Sequence, residues 1–311
     1  QSADNMATGD RVRIPVNDDF RVNSNSHVRP IAAVNPAGTT LAAGATDGTI
    51  RLWEPREGRL QRILRGHAID VQSIAYSPSG RYLASGDWNG EVRVWEPEIK
   101  AEKVTCVPRT TNVNRCLIEA IAFRFDGCNL VAFSDVMDYG RYRSTAGLTT
   151  TWDSESGLRL GDRRGIATAT RMQHRQARFD GSGTLLAMID RRSMIAVIDS
   201  ESGEERFSFR DEAADPRERS ISGDGRRLAA TFISAEAKVW DLETNKVIAN
   251  LPGLVRKPTL NSSGNLLAAG FQDTGSSRQR VKVHDLQTGH SHFIACPPFG
   301  TKPGKRISAI S

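Results

Sequence analysis

Six histidines and four cysteines are the residues of this 311-residue chain best suited to metal binding or nucleophilic chemistry. His290 and His292, with Cys296 four residues further on, could present ligands from one strand face, but no fourth ligand accompanies them. Cys106, Cys116, Cys128 and Cys296 form no C-x-x-C pair, and each sits near an apolar run. Buried or half-buried free thiols in a reducing, cytoplasmic setting are expected. His174 and His284 stand singly and read as packed rather than reactive. No metal and no cofactor is expected.

Catalytic signatures are missing too. The chain has no G-x-S-x-G elbow, no G-x-x-x-x-G-K-S/T phosphate loop, no H-E-x-x-H pair and no dinucleotide fingerprint after a strand. Acidic residues are frequent, but they fall mostly in hairpin turns such as DSESG, where a short acceptor supports the turn. The protein is therefore expected not to be an enzyme. A net charge of +6, carried by Arg more than Lys, suits an anionic partner or simply a solvated surface, since acids and bases are interspersed. With no apolar run of about 18 residues, neither a spanning helix nor a membrane partner is expected. The chain opens on Gln1 rather than Met, which fits a module of a longer polypeptide fused to other domains.

The elements that carry these residues repeat. The stretch 66–97, GHAIDVQSIAYSPSGRYLASGDWNGEVRVWEP, alternates turn sequences with the short β-forming runs VQSIAY, YLASG and VRVW. One such unit cannot bury both of its faces, and copies recur about seven times. An aromatic or apolar residue followed by an acid closes a strand at Trp53-Glu54, Trp95-Glu96, Trp152-Asp153, Ile198-Asp199, Trp240-Asp241 and His284-Asp285, at spacings of 42, 57, 46, 42 and 44 residues. A second series of turns ends in Gly38, Gly80, Gly127, Gly183, Gly225 and Gly264, each followed by an apolar strand. Beyond the outermost marks, MATGDRVRIPVNDDFRV and RISAIS look like further strands of one more unit.

This Gly-His to Trp-acid unit, at a period near 43 residues, resembles the WD-repeat family of β-propellers over essentially the whole chain. The likeness is strong for 28–100, good for 217–251 and degenerate elsewhere. It implies an all-β fold and a single domain over 1–311: seven blades of four-stranded antiparallel sheet around a central channel. The seventh blade would be split between residues 1–23 and 304–311, closing the ring and removing its open edges. The resemblance also implies a buried hydrogen-bonded tetrad of His, Ser or Thr, a turn Asp and Trp. In the second unit these are His67, Ser85, Asn89 and Trp95, with Asn in place of Asp and its charge assistance lost. The first unit keeps Asp47 and Trp53 but has Ala43 where Ser is expected. The fifth keeps Trp240 with Ser234 at the acid position, and the fourth has Ile198 for Trp. Apolar contact between blades is therefore expected to hold the ring together.

In the resembled family the residue before the turn acid projects from the top face. Those residues are Thr46 and Trp88. A Trp between Asp87 and Asn89 reads as an exposed binding hot spot or as a side chain folded over a neighbouring loop. The long third spacing places a top-face loop at 134–148, where Tyr139, Arg141, Tyr142 and Arg143 combine planar surface with charge, unless the segment is a disordered insertion. Arg191, Arg192 and Arg278 extend the same face. The expected function is a non-catalytic, rigid protein-interaction scaffold whose top face binds a protein or peptide segment, acidic or phosphorylated. The alternative is a propeller that binds a nucleic-acid strand through its Arg and aromatic side chains; a propeller enzyme with a channel-mouth site is disfavoured.

Overall fold

The computed structural model describes residues 31–98, 101–106, 115–138, 143–166, 177–189, 194–210, 216–272 and 279–294. Among these residues the chain forms six four-stranded antiparallel sheets, each a meander of four consecutive strands. The sheets span 31–64, 71–106, 115–166, 178–209, 216–252 and 254–294. Short period-2 strands separated by tight turns leave each sheet with two apolar faces, so each packs on the next.

The core is accordingly a set of seams rather than one centre. In the fourth sheet, Leu186 and Met188 face the third sheet together with Ala196 and Ile198, while Ala187, Ile189, Ile195 and Val197 face the fifth. The alternation is strict. Trp95 packs back on the first sheet, Trp152 on the second and Trp240 on the fourth, so these three third-strand tryptophans fill the seams behind them. A glycine opens each of the first two seams for close approach: a Cβ added to Gly44 would lie 2.8 Å from Val71 Cγ1, and one added to Gly86 2.2 Å from Ile118 Cγ2, both of the next sheet. The outer strands are far more exposed, as in Arg59–Leu64 and Lys246–Pro252.

The turn series read from the sequence have a backbone cause. Gly38, Gly80, Gly127, Gly183, Gly225 and Gly264 all have φ near +70°, and Asn245 takes the same left-handed conformation where other units use glycine. The acid of the Trp-acid mark caps its own turn. Asp153, Asp199 and Asp285 each accept two amides two and three residues on, at 2.7 to 3.1 Å. The Thr244 amide holds the Asp241 carboxyl below the ordinary carboxylate range, and the Thr288 amide does so for Asp285. These acids are structural acceptors.

Three expectations change. Six blades stand among the described residues, where the sequence predicts seven, and the residues assigned to a seventh, 1–23 and 304–311, lie outside them. The predicted loop at 134–148 is instead mostly strand. Asn129–Asp138 and Arg143–Asp153 form one long hairpin, paired through Asp138 and Arg143 with a bulge at Val136/Met137. The long spacing of this unit is absorbed by extra ladder, because residues such as Val136 and Thr145 continue a β pattern. Cys128 is exposed rather than buried, because it lies in the turn after Asp126.

Candidate functional site

The one tetrad-like network among the described residues lies in the second sheet. Trp95 Nε1 donates to Ser85 Oγ at 2.8 Å. Ser85 Oγ lies 2.7 Å from His67 Nε2, and His67 Nδ1 lies 3.1 Å from Asp87 Oδ2. An indole N–H can only donate and a carboxylate only accept, which for a neutral imidazole sets the proton order. Ser85 O–H donates to Nε2, and Nδ1–H donates to Asp87. All four side chains are buried.

The acid of this network is Asp87, which corrects the assignment of Asn89. Side chains two apart on a strand share a face, so Ser85 and Asp87 at the end of Leu83–Asp87 both reach His67. Asn89 lies past the strand, exposed in the turn. The network therefore keeps a charged acceptor. The other oxygen of Asp87 accepts the amides of Asn89 at 2.9 Å and Glu91 at 2.8 Å, which fixes the turn to the network. This signal was available in the spacing of Ser85 and Asp87. The ligand atoms of His67, Asp87 and Glu91 lie within 4.8 Å of one another, but both His67 ring nitrogens are already engaged.

Asp47 and Trp53 of the first sheet do not form a tetrad. Pairing of Leu41 with Trp53 matches that of Leu83 with Trp95, so Ala43 and Ala45 stand where Ser85 and Asp87 do. Neither can hydrogen-bond through its side chain. Asp47 instead binds the Thr49 amide at 2.9 Å, the Thr49 hydroxyl and Arg51, while Trp53 is buried.

Two ends of the sheet stack can be told apart by main-chain bonds. At one end, turns joining second to third strands meet the connections entering a first strand, within a sheet where Trp88 N donates to Asp70 O at 3.1 Å and between sheets where Val71 N donates to Ala45 O at 3.2 Å. At the other, turns joining first to second strands meet those joining third to fourth, as in Ser154 N to Cys128 O at 2.7 Å and Ser200 N to Thr184 O at 2.8 Å. Trp88 and Thr46 share the first end. Thr46 is exposed; Trp88 is half-buried, not fully exposed as its polar neighbours suggest. Tyr139, Arg141, Tyr142, Arg191, Arg192 and Arg278 lie outside the described residues, and Arg143 is placed by its backbone alone. His290 and His292 are exposed at the outer edge of the sixth sheet, and Cys296 is outside the described residues. His284 lies 2.6 Å from Ser291 Oγ, and burial followed by nearby Lys282 holds its pKa below the ordinary histidine range.

The family model described as WD domain, G-beta repeat matches residues 22–54 and 58–96. Mitochondrial division protein 1 of Eremothecium gossypii is 35% identical over 72 residues, 23% of this chain and 10% of that protein. The chain thus spans about a tenth of this relative's length. Among solved structures, the Cps50 (Swd1) β-propeller domain of Myceliophteria thermophila superimposes with a TM-score of 0.62 at 16% identity, covering 88% of each chain. That likeness gives the fold. Residues 22–96 thus carry repeats that match the WD-repeat family, and the six stacked four-stranded sheets have the β-propeller fold.

Proposed function

We propose that this propeller captures a partner segment on the face that carries Thr46 and Trp88, and that it does so without catalysis. Propellers of this family serve in general as protein-interaction scaffolds. The observation that carries the assignment is the Trp88 turn. Asp87 binds two of its amides, Gly90 closes it at a φ of +88°, and Trp88 N is tied to Asp70, so a large aromatic is presented from a fixed backbone. Little ordering entropy is lost when a segment docks on such a platform. The partner is a protein or peptide with acidic or phosphorylated side chains, matching the net charge of +6. In a pull-down from acidic and phosphorylated peptides, Trp88→Ala is expected to weaken capture about tenfold or more at an unchanged urea midpoint. Capture equal to the parent removes this face from the assignment.

A seventh blade shared by 1–23 and 304–311 belongs to the same proposal. Each described sheet packs on the next, yet no comparable packing joins the sixth to the first among the described residues. A ring with that seam open would expose the apolar faces at both of its ends. Deleting residues 304–311 is expected to lower unfolding stability by about 2 kcal/mol, the burial of one core side chain. An unchanged denaturation midpoint argues against the shared blade.

A further inference from the structure

At the end opposite Trp88, a groove of about 740 Å³ runs between the first and second sheets. Tyr76, Arg56, Arg59, Arg62, Glu54 and Glu98 are among the residues that line it. Tyr76 closes the first strand of the second sheet, and its hydroxyl is buried without a hydrogen-bond partner. Burial, helped by the Glu98 carboxylate, raises its pKa, so the group remains an O–H donor at neutral pH. A buried hydroxyl without an acceptor destabilises a fold, and an acceptor arriving from outside recovers that loss.

The cations of the groove are unequally engaged. Arg59 pairs with Glu57 at 3.2 Å. Arg62 donates to the main-chain carbonyls of Pro97 and Glu98, so dipoles rather than a carboxylate meet its charge. Arg56 is exposed and its side chain has no ion pair or hydrogen bond among the described residues. Glu54 is committed to the amides of Arg56 and Glu57 at 2.8 and 2.6 Å.

We propose that this groove is a second docking site that takes a carboxylate side chain from an acidic peptide segment of a partner protein, with Tyr76 Oη and Arg56 as its donors. Charge complementarity selects the occupant. The arginines favour an anion, while Glu54 and Glu98 in the same lining oppose a dianion more than a monoanion, so a carboxylate fits better than a phosphate. The site lies on the face opposite Trp88 and does not depend on the function proposed above.

Three labelled peptides of one length test this by fluorescence anisotropy on the full chain: one with glutamates, its glutamine counterpart and its phosphoserine counterpart. The glutamate peptide is expected to bind, Tyr76→Phe and Arg56→Ala each to weaken it about tenfold, and Trp88→Ala to leave it unchanged. Tyr76→Phe is also expected to unfold at a urea midpoint no lower than the parent, since it removes an unpartnered group. Equal binding of the glutamine peptide, tighter binding of the phosphoserine peptide, loss of binding in Trp88→Ala, no effect of Tyr76→Phe on affinity, or a lowered midpoint in that variant would each overturn the proposal.

Discussion

Asp87→Ala is expected to cost this protein about 3 kcal/mol of unfolding stability, whereas Asn89→Ala should change it by no more than about 0.5 kcal/mol. Three donors lose their acceptor together in the first variant: His67 Nδ1 and the amides of Asn89 and Glu91. The imidazole suffers most, because its side chain is fully buried and water cannot replace the carboxylate. Asp87→Asn is the graded control. It keeps the shape and one acceptor but loses the charge, and about half the penalty is expected. Urea unfolding monitored by tryptophan fluorescence reads all three through their midpoints. A larger effect at Asn89 than at Asp87 would return the acid position to the turn.

That reversal marks how far the sequence could be read. Strand order within units was legible because turn residues with left-handed backbone, such as Gly80 and Asn245, punctuate the chain at fixed offsets, whereas the blade count was not: seven were expected and six stand among the described residues. The network was legible at His67, Ser85 and Trp95. The acid was misplaced because the family pattern weighs the turn position, whereas strand periodicity puts Asp87 on the same face as Ser85. Period-2 reasoning also extends the third unit's hairpin, where the polar residues of 134–148 read as a loop. The groove at Tyr76 was not legible at all. It joins residues from 35 to 98 across two sheets, and no local pattern marks a hydroxyl left without a partner.

The fifth sheet shows what replaces the polar network, and Trp240→Ala is expected to be the more damaging test, at about 3–5 kcal/mol. Leu228 pairs with Trp240 as Leu83 does with Trp95, so Ala230 and Phe232 occupy the positions of Ser85 and Asp87. The site has become aromatic. Trp240, 1% exposed, lies 4.8 Å from the Phe209 ring and 6.2 Å from those of Phe207 and Phe232. Phe207 and Phe209 come from the outer strand of the fourth sheet, so the cluster ties two blades together where the second sheet uses hydrogen bonds within one. Tilted ring pairs of this kind contribute about 0.5–1.5 kcal/mol beyond the area they bury. A double-mutant cycle of Trp240→Ala with Phe209→Ala should therefore show coupling of about that size, since the second truncation removes a ring whose partner is already gone. Additive losses would mean that the rings contribute only buried area, and a Trp240→Ala cost below that of Asp87→Ala would mean that the polar network within one blade, not the apolar seam between two, carries the greater share of the fold's stability.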